Sequence, residues 1–487
     1  MKDELALRLE WLEGQSSQLE PDPSTRNAID QKVLAYAHRF LNELKDAKAY
    51  NINLEASAVI ESTDIPNEPV DIDRILQIYA EGVDTPGLNP ASGGHLGYIP
   101  GGGIYTASLG DYLAAVGNRY AGIYYGSPGA VRMEHKLLQW MCGLFGYGDE
   151  AGGTLCSGGS IANLVAICAA RDQRNLRPAM YEKAVVYLSD QTHHCVDKAL
   201  RVAGLEYAKL HRIPLDDKQK MDPLALQKKI ESDIQQGFFP WLVVASAGTT
   251  DTGAVDPLAA IGAICKKFEL WFHIDAAYGG FFILTDECKH LFQGIECADS
   301  IVVDPHKGLF LPYGLGAVLL KNQKHLLRTN YYLANYMQDA YATDLPISPA
   351  DLSPELTRHF RALRLWLPLQ IHGLKTFVYA LEEKRLLAKY AARELENIQG
   401  IELKAWPELS VVCFRIRPEG LDNIDQLNLR FIEYLKEDGK VFLSSTNLNG
   451  EVFIRMAILC FRTHKCTIDY ALSCVKTFLD LQVYSRL

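Results

Sequence analysis

Lys307 stands where an amine could become a reagent. It closes the segment Ser300-Ile301-Val302-Val303-Asp304-Pro305-His306-Lys307-Gly308, an apolar run followed by an acid, a proline and a histidine. Partial burial there would pull the amine below its usual pKa of ~10.4. A neutral amine condenses with an aldehyde to form an imine. The same residues also fit an ordinary lysine after a strand, with Asp304 and His306 in turn and core roles. A second segment, Leu270-Trp271-Phe272-His273-Ile274-Asp275-Ala276-Ala277-Tyr278-Gly279-Gly280, ends an apolar run in a carboxylate. Burying Asp275 is costly unless a positive group faces it, and a protonated heterocyclic nitrogen is one such group. The alternative is an aspartate that caps the next turn.

A third segment, Thr154-Leu155-Cys156-Ser157-Gly158-Gly159-Ser160, runs straight into the helical Ile161-Ala162-Asn163-Leu164-Val165. Two glycines admit a ligand close to the backbone, and free amides at a helix start favour a phosphate. A tight turn with a serine cap fits the same residues. The pattern is neither a Walker loop nor Gly-x-Gly-x-x-Gly, so nucleotide binding is not indicated. Two more polar groups follow apolar runs: His193, His194 and Cys195 after Ala184–Leu188, and Thr249-Thr250-Asp251 after Trp241–Ala247. Three consecutive side chains rarely converge on one ion, so no metal site is expected.

The elements that must position these residues show in the rhythm of the chain. Apolar runs at Ala184–Leu188, Trp241–Ala247, Leu270–Ile274 and Ser300–Val303 alternate with helical stretches such as Ile161–Arg171 and Pro257–Phe268. This predicts an α/β domain whose mostly parallel sheet is covered on both faces and holds ligands at the carboxyl ends of its strands. Leu315–Leu320 reads as a further strand entered without a helix. Before the sheet, Asn27–Lys45, capped at Ser24 or Thr25, and Asp71–Gly82 read as amphipathic helices, and Pro86–Gly103 as a loop rich in breakers. After it, a long helical region over Pro354–Asn397 leads to strands at Ser410–Ile416 and Glu451–Ile458. Helices near Asp425–Lys436 and Thr467–Leu481 complete a small α+β domain. The expected organisation is a helical N-terminal segment over 1–103, a large α/β domain over 104–370 and a small C-terminal domain over 371–487.

Composition narrows the classes. The 487 residues are 48% hydrophobic and 22% charged, which is ordinary globular usage. With 49 Lys and Arg against 59 Asp and Glu, the net charge is −10, and no basic run offers phosphates a clustered face. Nucleic acid is excluded as an expected partner. No apolar run approaches the ~20 residues of a membrane span, and the opening residues lack the apolar stretch of a secretion signal. Eleven cysteines without a Cys-x-x-Cys pair fit reduced thiols packed as small core residues. A cytoplasmic protein is expected.

Taken in chain order, the glycine cradle, a histidine placed to stack on a ring, the strand-end aspartate and the His-Lys pair resemble the pyridoxal-phosphate enzymes of the aspartate-aminotransferase (type I) fold. More narrowly, they resemble the group II amino-acid decarboxylases, which include the aromatic-L-amino-acid, glutamate and histidine decarboxylases. The resemblance runs from about Pro90 to the C-terminus. It implies pyridoxal 5′-phosphate as cofactor and Lys307 as the residue that holds its aldehyde as an imine. Asp275 would pair with the ring nitrogen, Ala277 would pack below the ring and His193 would stack above it, supported by Thr250. Gly158, Gly159 and Ser160, with His306 nearby, would hold the phosphate. Tyr336-Met337-Gln338-Asp339 resembles a loop whose tyrosine acts at the active site. The implied reaction is decarboxylation of an L-amino acid, with an aromatic side chain as the favoured class, in a homodimer with shared sites.

The departures bear on the substrate. The family's usual tryptophan after the lysine is Gly308, and the segment from His95 to Gly101 keeps only Tyr98 and Pro100 of the aromatic enzymes' Tyr-Phe-Pro signature. Tyr98, Tyr120 and Tyr124 are the substrate-side candidates, although tyrosines before the Ser127-Pro128 turn also fit structural roles. An aldehyde synthase or a carbon–carbon lyase of the same fold is the alternative, and a noncatalytic protein that keeps the fold is a more distant one.

Overall fold

Aspartates start three helices of the first part of the chain. Asp3 accepts a hydrogen bond from Leu5 N ahead of helix Glu4–Ser16, Asp22 accepts from Ser24 N and Thr25 N ahead of Pro23–Glu43, and Asp71 accepts from Asp73 N ahead of Ile72–Tyr79. The second helix begins a turn earlier than its apolar spacing predicted. A carboxylate at Asp22 caps two free amides, and Pro23 has no amide to satisfy. Two short strands, β1 (Tyr50–Asn51) and β2 (Gly87–Leu88), pair antiparallel in the same part.

The computed structural model describes residues 3–332 and 345–484 and forms two compact units, Met1–Asn89 and Pro90–Leu487. Residues 90–103, grouped by composition with the N-terminal segment, belong to the second unit. His95 bridges to Phe442, and Leu96 N donates to Phe442 O at 2.8 Å. The backbone of that loop is thus paired with a strand approach far along the chain, which its glycines and prolines do not announce.

The second unit is built on a seven-stranded sheet. Its strands are β3 (Gly152–Cys156), β4 (Ala184–Ser189), β5 (Lys209–Ile213), β6 (Phe239–Ser246), β7 (Trp271–Asp275), β8 (Ser300–Val303) and β9 (Gly316–Leu320). They lie in the order β3-β9-β8-β7-β6-β4-β5, parallel throughout except that β9 runs against both neighbours. Alternate residues feed two cores. Val185, Tyr187, Val243, Phe272 and Ile274 pack on one side, and Val186, Leu188, Leu242, Val244 and Trp271 on the other. Side chains on successive strand positions point to opposite faces, so near-continuous apolar runs satisfy both layers. The strands β3 and β5 escape the apolar pattern, because one opens on two glycines and the other reads Lys-Leu-His-Arg-Ile at an exposed edge. Charged residues on an edge strand discourage further pairing.

The long helical region divides at Gly373, whose φ of 68° suits glycine, into Arg361–His372 and Leu374–Glu396. Beyond it, β10 (Ile401–Leu403), β11 (Val411–Ile416), β12 (Ser444–Leu448) and β13 (Glu451–Ala457) form an antiparallel sheet in the order β10-β11-β13-β12. Helices Leu374–Glu396, Ile424–Asp438 and Lys465–Tyr484 supply its core with residues such as Leu387, Phe431 and Phe478 against Phe414 and Ile454. Helix Leu374–Glu396 also sends Phe377 and Leu381 into the large core, so it ties the α+β part to the sheet.

Candidate active site

Five loops leave the large sheet at one edge. The strands β4, β6, β7 and β8 are parallel, and β3 shares their direction because both it and β8 oppose β9. The segments after these strands therefore meet, as carboxyl ends of α/β sheets do. They surround a cavity of about 340 Å³ lined by Gly158, Gly159 and Ser160, by His193, by Thr250, by Asp275 and Ala277, and by His306 and Lys307. Every cofactor-side residue singled out in the sequence borders this one cavity.

At one end lies the start of helix Gly159–Gln173. A Cβ on Gly159 would stand 2.9 Å from Asp304 Oδ2 and 3.3 Å from Ala277 Cβ, so only glycine lets the helix start sit this deep. Its first amides have no intrahelical acceptor, which makes this end an anion site. Asp275 closes β7. Its Oδ1 accepts from Ala277 N at 3.1 Å and its Oδ2 from Asn163 Nδ2 at 3.4 Å. Lys307 rides on the single turn Pro305–Gly308 between β8 and β9, the connection expected to contain no helix. Its Nζ lies 3.1 Å from Asp304 Oδ2, with 23% of the side chain exposed.

The electrostatics correct one expectation. Burial does pull the Lys307 ammonium down, but the carboxylates of Asp304 and Asp275 outweigh it and hold its pKa above the ordinary lysine value. The sequence showed the desolvation and not the second carboxylate aimed at the amine. His193 is pushed down by burial, and its Nδ1 accepts from Cys195 N at 3.2 Å, so the neutral ring carries its proton on Nε2. Burial also lowers His306, whose Nδ1 donates to Leu315 O at 2.6 Å.

Some expected arrangements differ. Among the described residues no hydrogen bond joins Thr250 to His193; the Thr250 carbonyl instead accepts from Arg455 of β13. Tyr98, Tyr120 and Tyr124 do not border the cavity. Tyr124 is buried and its hydroxyl accepts from Arg132 Nε at 3.0 Å, whereas Tyr98 is half exposed on a left-handed backbone with φ of 51°. Tyr336 lies outside the described residues. The missing tryptophan after Lys307 has a steric reason. A Cβ on Gly308 would come within 2.9 Å of Phe281 Cβ, and Phe281 fills that place stacked on Trp140.

The sequence reading gave Asp304 only a turn role and assigned none to Asn163, Gln191 and Tyr313, all of which border the cavity. Asp304 and Gln191 are buried, and Asp304 Oδ1 and Gln191 Oε1 have no hydrogen-bond partner. An amide-rich helix start, a carboxylate and an amine around one cavity are the groups that an aldehyde-bearing, phosphorylated heterocycle requires. The residues fit pyridoxal 5′-phosphate. Among the described residues no group of three or more His, Cys, Asp and Glu is arranged to hold a metal ion.

Comparison with known proteins shows the family. The model of the pyridoxal-dependent decarboxylase conserved domain matches residues 58–417. The chain belongs to the group II pyridoxal-phosphate decarboxylase family, and with it to the amino-acid carboxy-lyases of the type I fold that use pyridoxal 5′-phosphate. It is 35% identical to an aromatic-L-amino-acid decarboxylase of Bacillus atrophaeus over 76% of this chain and 77% of that protein. It is 32% identical to an L-2,4-diaminobutyrate decarboxylase of Acinetobacter baumannii over 68% and 69%. A solved structure of Oryza sativa TDC with PLP and tryptamine superposes with a TM-score of 0.89 at 24% identity, covering 95% of this chain and 99% of that one.

Proposed function

We propose that the chain decarboxylates an aromatic L-amino acid and releases the amine. One observation carries the substrate class: among the described residues that border the cavity, Lys307 is the only Lys or Arg. Asp304 already engages it. A second carboxylate on the substrate side chain would meet no fixed cation there, which disfavours acidic amino acids. Tyr313, half exposed and edge-on to His306 at 5.7 Å, gives the cavity an aromatic wall. The Bacillus relative named for aromatic amino acids supports the same reading. The Acinetobacter relative favours a second reading, a diamino acid whose extra ammonium would meet a carboxylate.

The residue roles form part of the proposal. Lys307 would hold the cofactor aldehyde, the helix start at Gly158, Gly159 and Ser160 with His306 would hold the phosphate, and Asp275 would hold a proton on the ring nitrogen. Ala277 is small enough to leave a flat floor, and His193 offers a neutral ring face opposite. When bound, the cofactor supplies an aldehyde for the substrate amine and a conjugated ring that takes up the electron pair left by carbon dioxide. A proton must then reach the former α-carbon, and Tyr336 or the Nε2 proton of His193 would deliver it. Thr250 would position the loop beside His193 through its backbone.

The wider assembly belongs to the same proposal: a cytoplasmic homodimer with shared sites, in which the helical N-terminal segment makes the dimer contact and Tyr98, Tyr120 and Tyr124, which do not border the cavity of their own subunit, would serve the substrate side of the partner's. Exposed apolar side chains such as Leu9, Trp11, Val33 and Leu34 in that segment support a partner, and eleven free thiols support a reducing compartment. Among the described residues no helix is long and apolar enough to cross a membrane. The test is carbon dioxide release over a panel of aromatic, acidic and diamino acids, with amine and aldehyde quantified together. Aromatic preference with amine as product is expected. Preference for a diamino acid, or aldehyde as the main product, would overturn it.

A further inference from the structure

Three alternate residues of β7, Trp271, His273 and Asp275, point to the same face of the large sheet, because side chains in a strand repeat every second residue. The neighbouring strand places Ser300 opposite His273, and helix Gly159–Gln173 presents Asn163 to the same face. These side chains are all buried and joined end to end. Trp271 Nε1 is 2.9 Å from Ser300 Oγ, Ser300 Oγ is 2.8 Å from His273 Nδ1, His273 Nε2 is 2.8 Å from Asn163 Oδ1, and Asn163 Nδ2 is 3.4 Å from Asp275 Oδ2.

The chemistry of the groups gives the series one direction. An indole N–H can only donate, so Ser300 Oγ accepts from Trp271 and turns its own proton toward His273 Nδ1. Burial pushes His273 down to about 4, so the ring is neutral near pH 7, and because Asn163 turns its NH2 to the acceptors Gly159 O and Asp275 Oδ2, the ring's single proton sits on Nε2. That proton goes to Asn163 Oδ1, and the amide's NH2 faces Asp275. The same NH2 lies 2.9 Å from Gly159 O at the cofactor-phosphate end and 3.5 Å from Cys195 Sγ. One amide thus touches both ends of the cavity.

We propose that Trp271, Ser300, His273 and Asn163 are positioning residues that act as a single directed hydrogen-bond series to fix the Asp275 carboxylate and the Gly159 turn against the cofactor. The inference rests on Asp275 facing the ring nitrogen. Reversing the amide would set Asn163 Oδ1 against Asp275 Oδ2 and Gly159 O, so the series is fixed from the carboxylate end and a break along it is felt there.

The test uses holoenzyme of the parent, Asn163→Ala, Ser300→Ala, the double variant and Asp275→Asn. It reads the visible absorption band of the bound cofactor, the cofactor dissociation rate, and kcat and KM separately. Asn163→Ala is expected to shift or weaken the band, speed cofactor loss by about ten-fold and lower kcat by about ten-fold with KM within about two-fold. Ser300→Ala should give about two- to three-fold effects in the same directions. The double variant should be no worse than Asn163→Ala, because a series cut once is already cut. Additive losses, or an unchanged band in Asn163→Ala beside a shifted band in Asp275→Asn, would overturn the series and leave the Asp275 reading intact. An unchanged band in Asp275→Asn would remove that underlying reading instead. Retained thermal midpoints in each variant exclude unfolding as the cause, and if Asn163→Ala does not fold, Asn163→Ser with the Ser300→Ala cycle decides the same question.

Discussion

Two buried acidic clusters on the large sheet look alike in composition and differ in completeness. Asp233 is buried, and both its oxygens are satisfied, Oδ2 by the Tyr187 hydroxyl at 2.8 Å and Oδ1 by Lys229 Nζ at 2.7 Å, with His211 Nε2 at 3.4 Å. Asp304 is equally buried and also pairs with a lysine, yet its Oδ1 has no partner and its neighbour is a cavity. A buried charge is tolerated when its bonds are complete, so the Asp233 carboxylate is finished structure. The second leaves one buried oxygen unmet while the other meets an amine at the cavity wall, so its charge balance changes when that amine reacts.

The strongest way to break this contrast is at the lysines. Lys307→Ala should lower turnover by about three orders of magnitude or more, since among the described residues no other amine borders the cavity. Borohydride reduction of the parent followed by peptide mapping should label Lys307, and a label on another lysine would move the site. Next comes Asp275→Asn, which keeps volume and removes the charge; turnover should fall by about two orders of magnitude with the fold intact by circular dichroism. Parent-rate turnover would make Asp275 as structural as Asp233.

Asp304→Asn sharpens the comparison with a smaller effect. The Lys307 pKa is raised because Asp304 and Asp275 favour its charged form, so loss of one carboxylate lets the amine shed its proton at lower pH. In cofactor-free protein below that pKa, pyridoxal phosphate capture should speed by up to about ten-fold for each unit of lowering, read as the pH dependence of the capture rate. An unmoved profile would mean that the pair does not govern the amine. Tyr336→Phe should change the product more than the rate, from amine toward aldehyde, ammonia and peroxide under air, because the phenol would supply the proton that quenches the carbanion. Unchanged amine yield would transfer that role to His193. The smallest catalytic effect belongs to the finished carboxylate: Asp233→Asn should leave kcat within about two-fold while lowering stability by about 1–2 kcal/mol in urea denaturation.

Much of this was legible in the residues. Apolar runs of four to eight residues located β4, β6, β7, β8 and β9, because strands buried on both faces have no choice but to be apolar. The polar residues that end those runs, Asp275 and Lys307 above all, were legible as candidates because a charge beside a buried strand needs a partner, although a turn cap or an ordinary lysine after a strand fitted each one taken alone. The strands β3 and β5 were not legible, since glycines and edge charges carry no apolar period. The His-x-Asp spacing of His273 and Asp275 was available in the sequence, for it places both on one strand face, but it has no meaning until a partner covers that face.

Sequence alone therefore determined which residues could react and the order of layers that carries them, because both depend on local residue type and period. Tertiary structure decided what those residues do to one another. Asp304 raises the pKa of an amine that burial alone would lower, Phe281 takes the space that would have belonged to a side chain at position 308, and Asn163, 112 residues from Asp275 in the chain, turns its amide toward that carboxylate. These are interactions across distant segments. Their energies depend on separation and orientation in space, and neither quantity is carried by the spacing of residues along the chain.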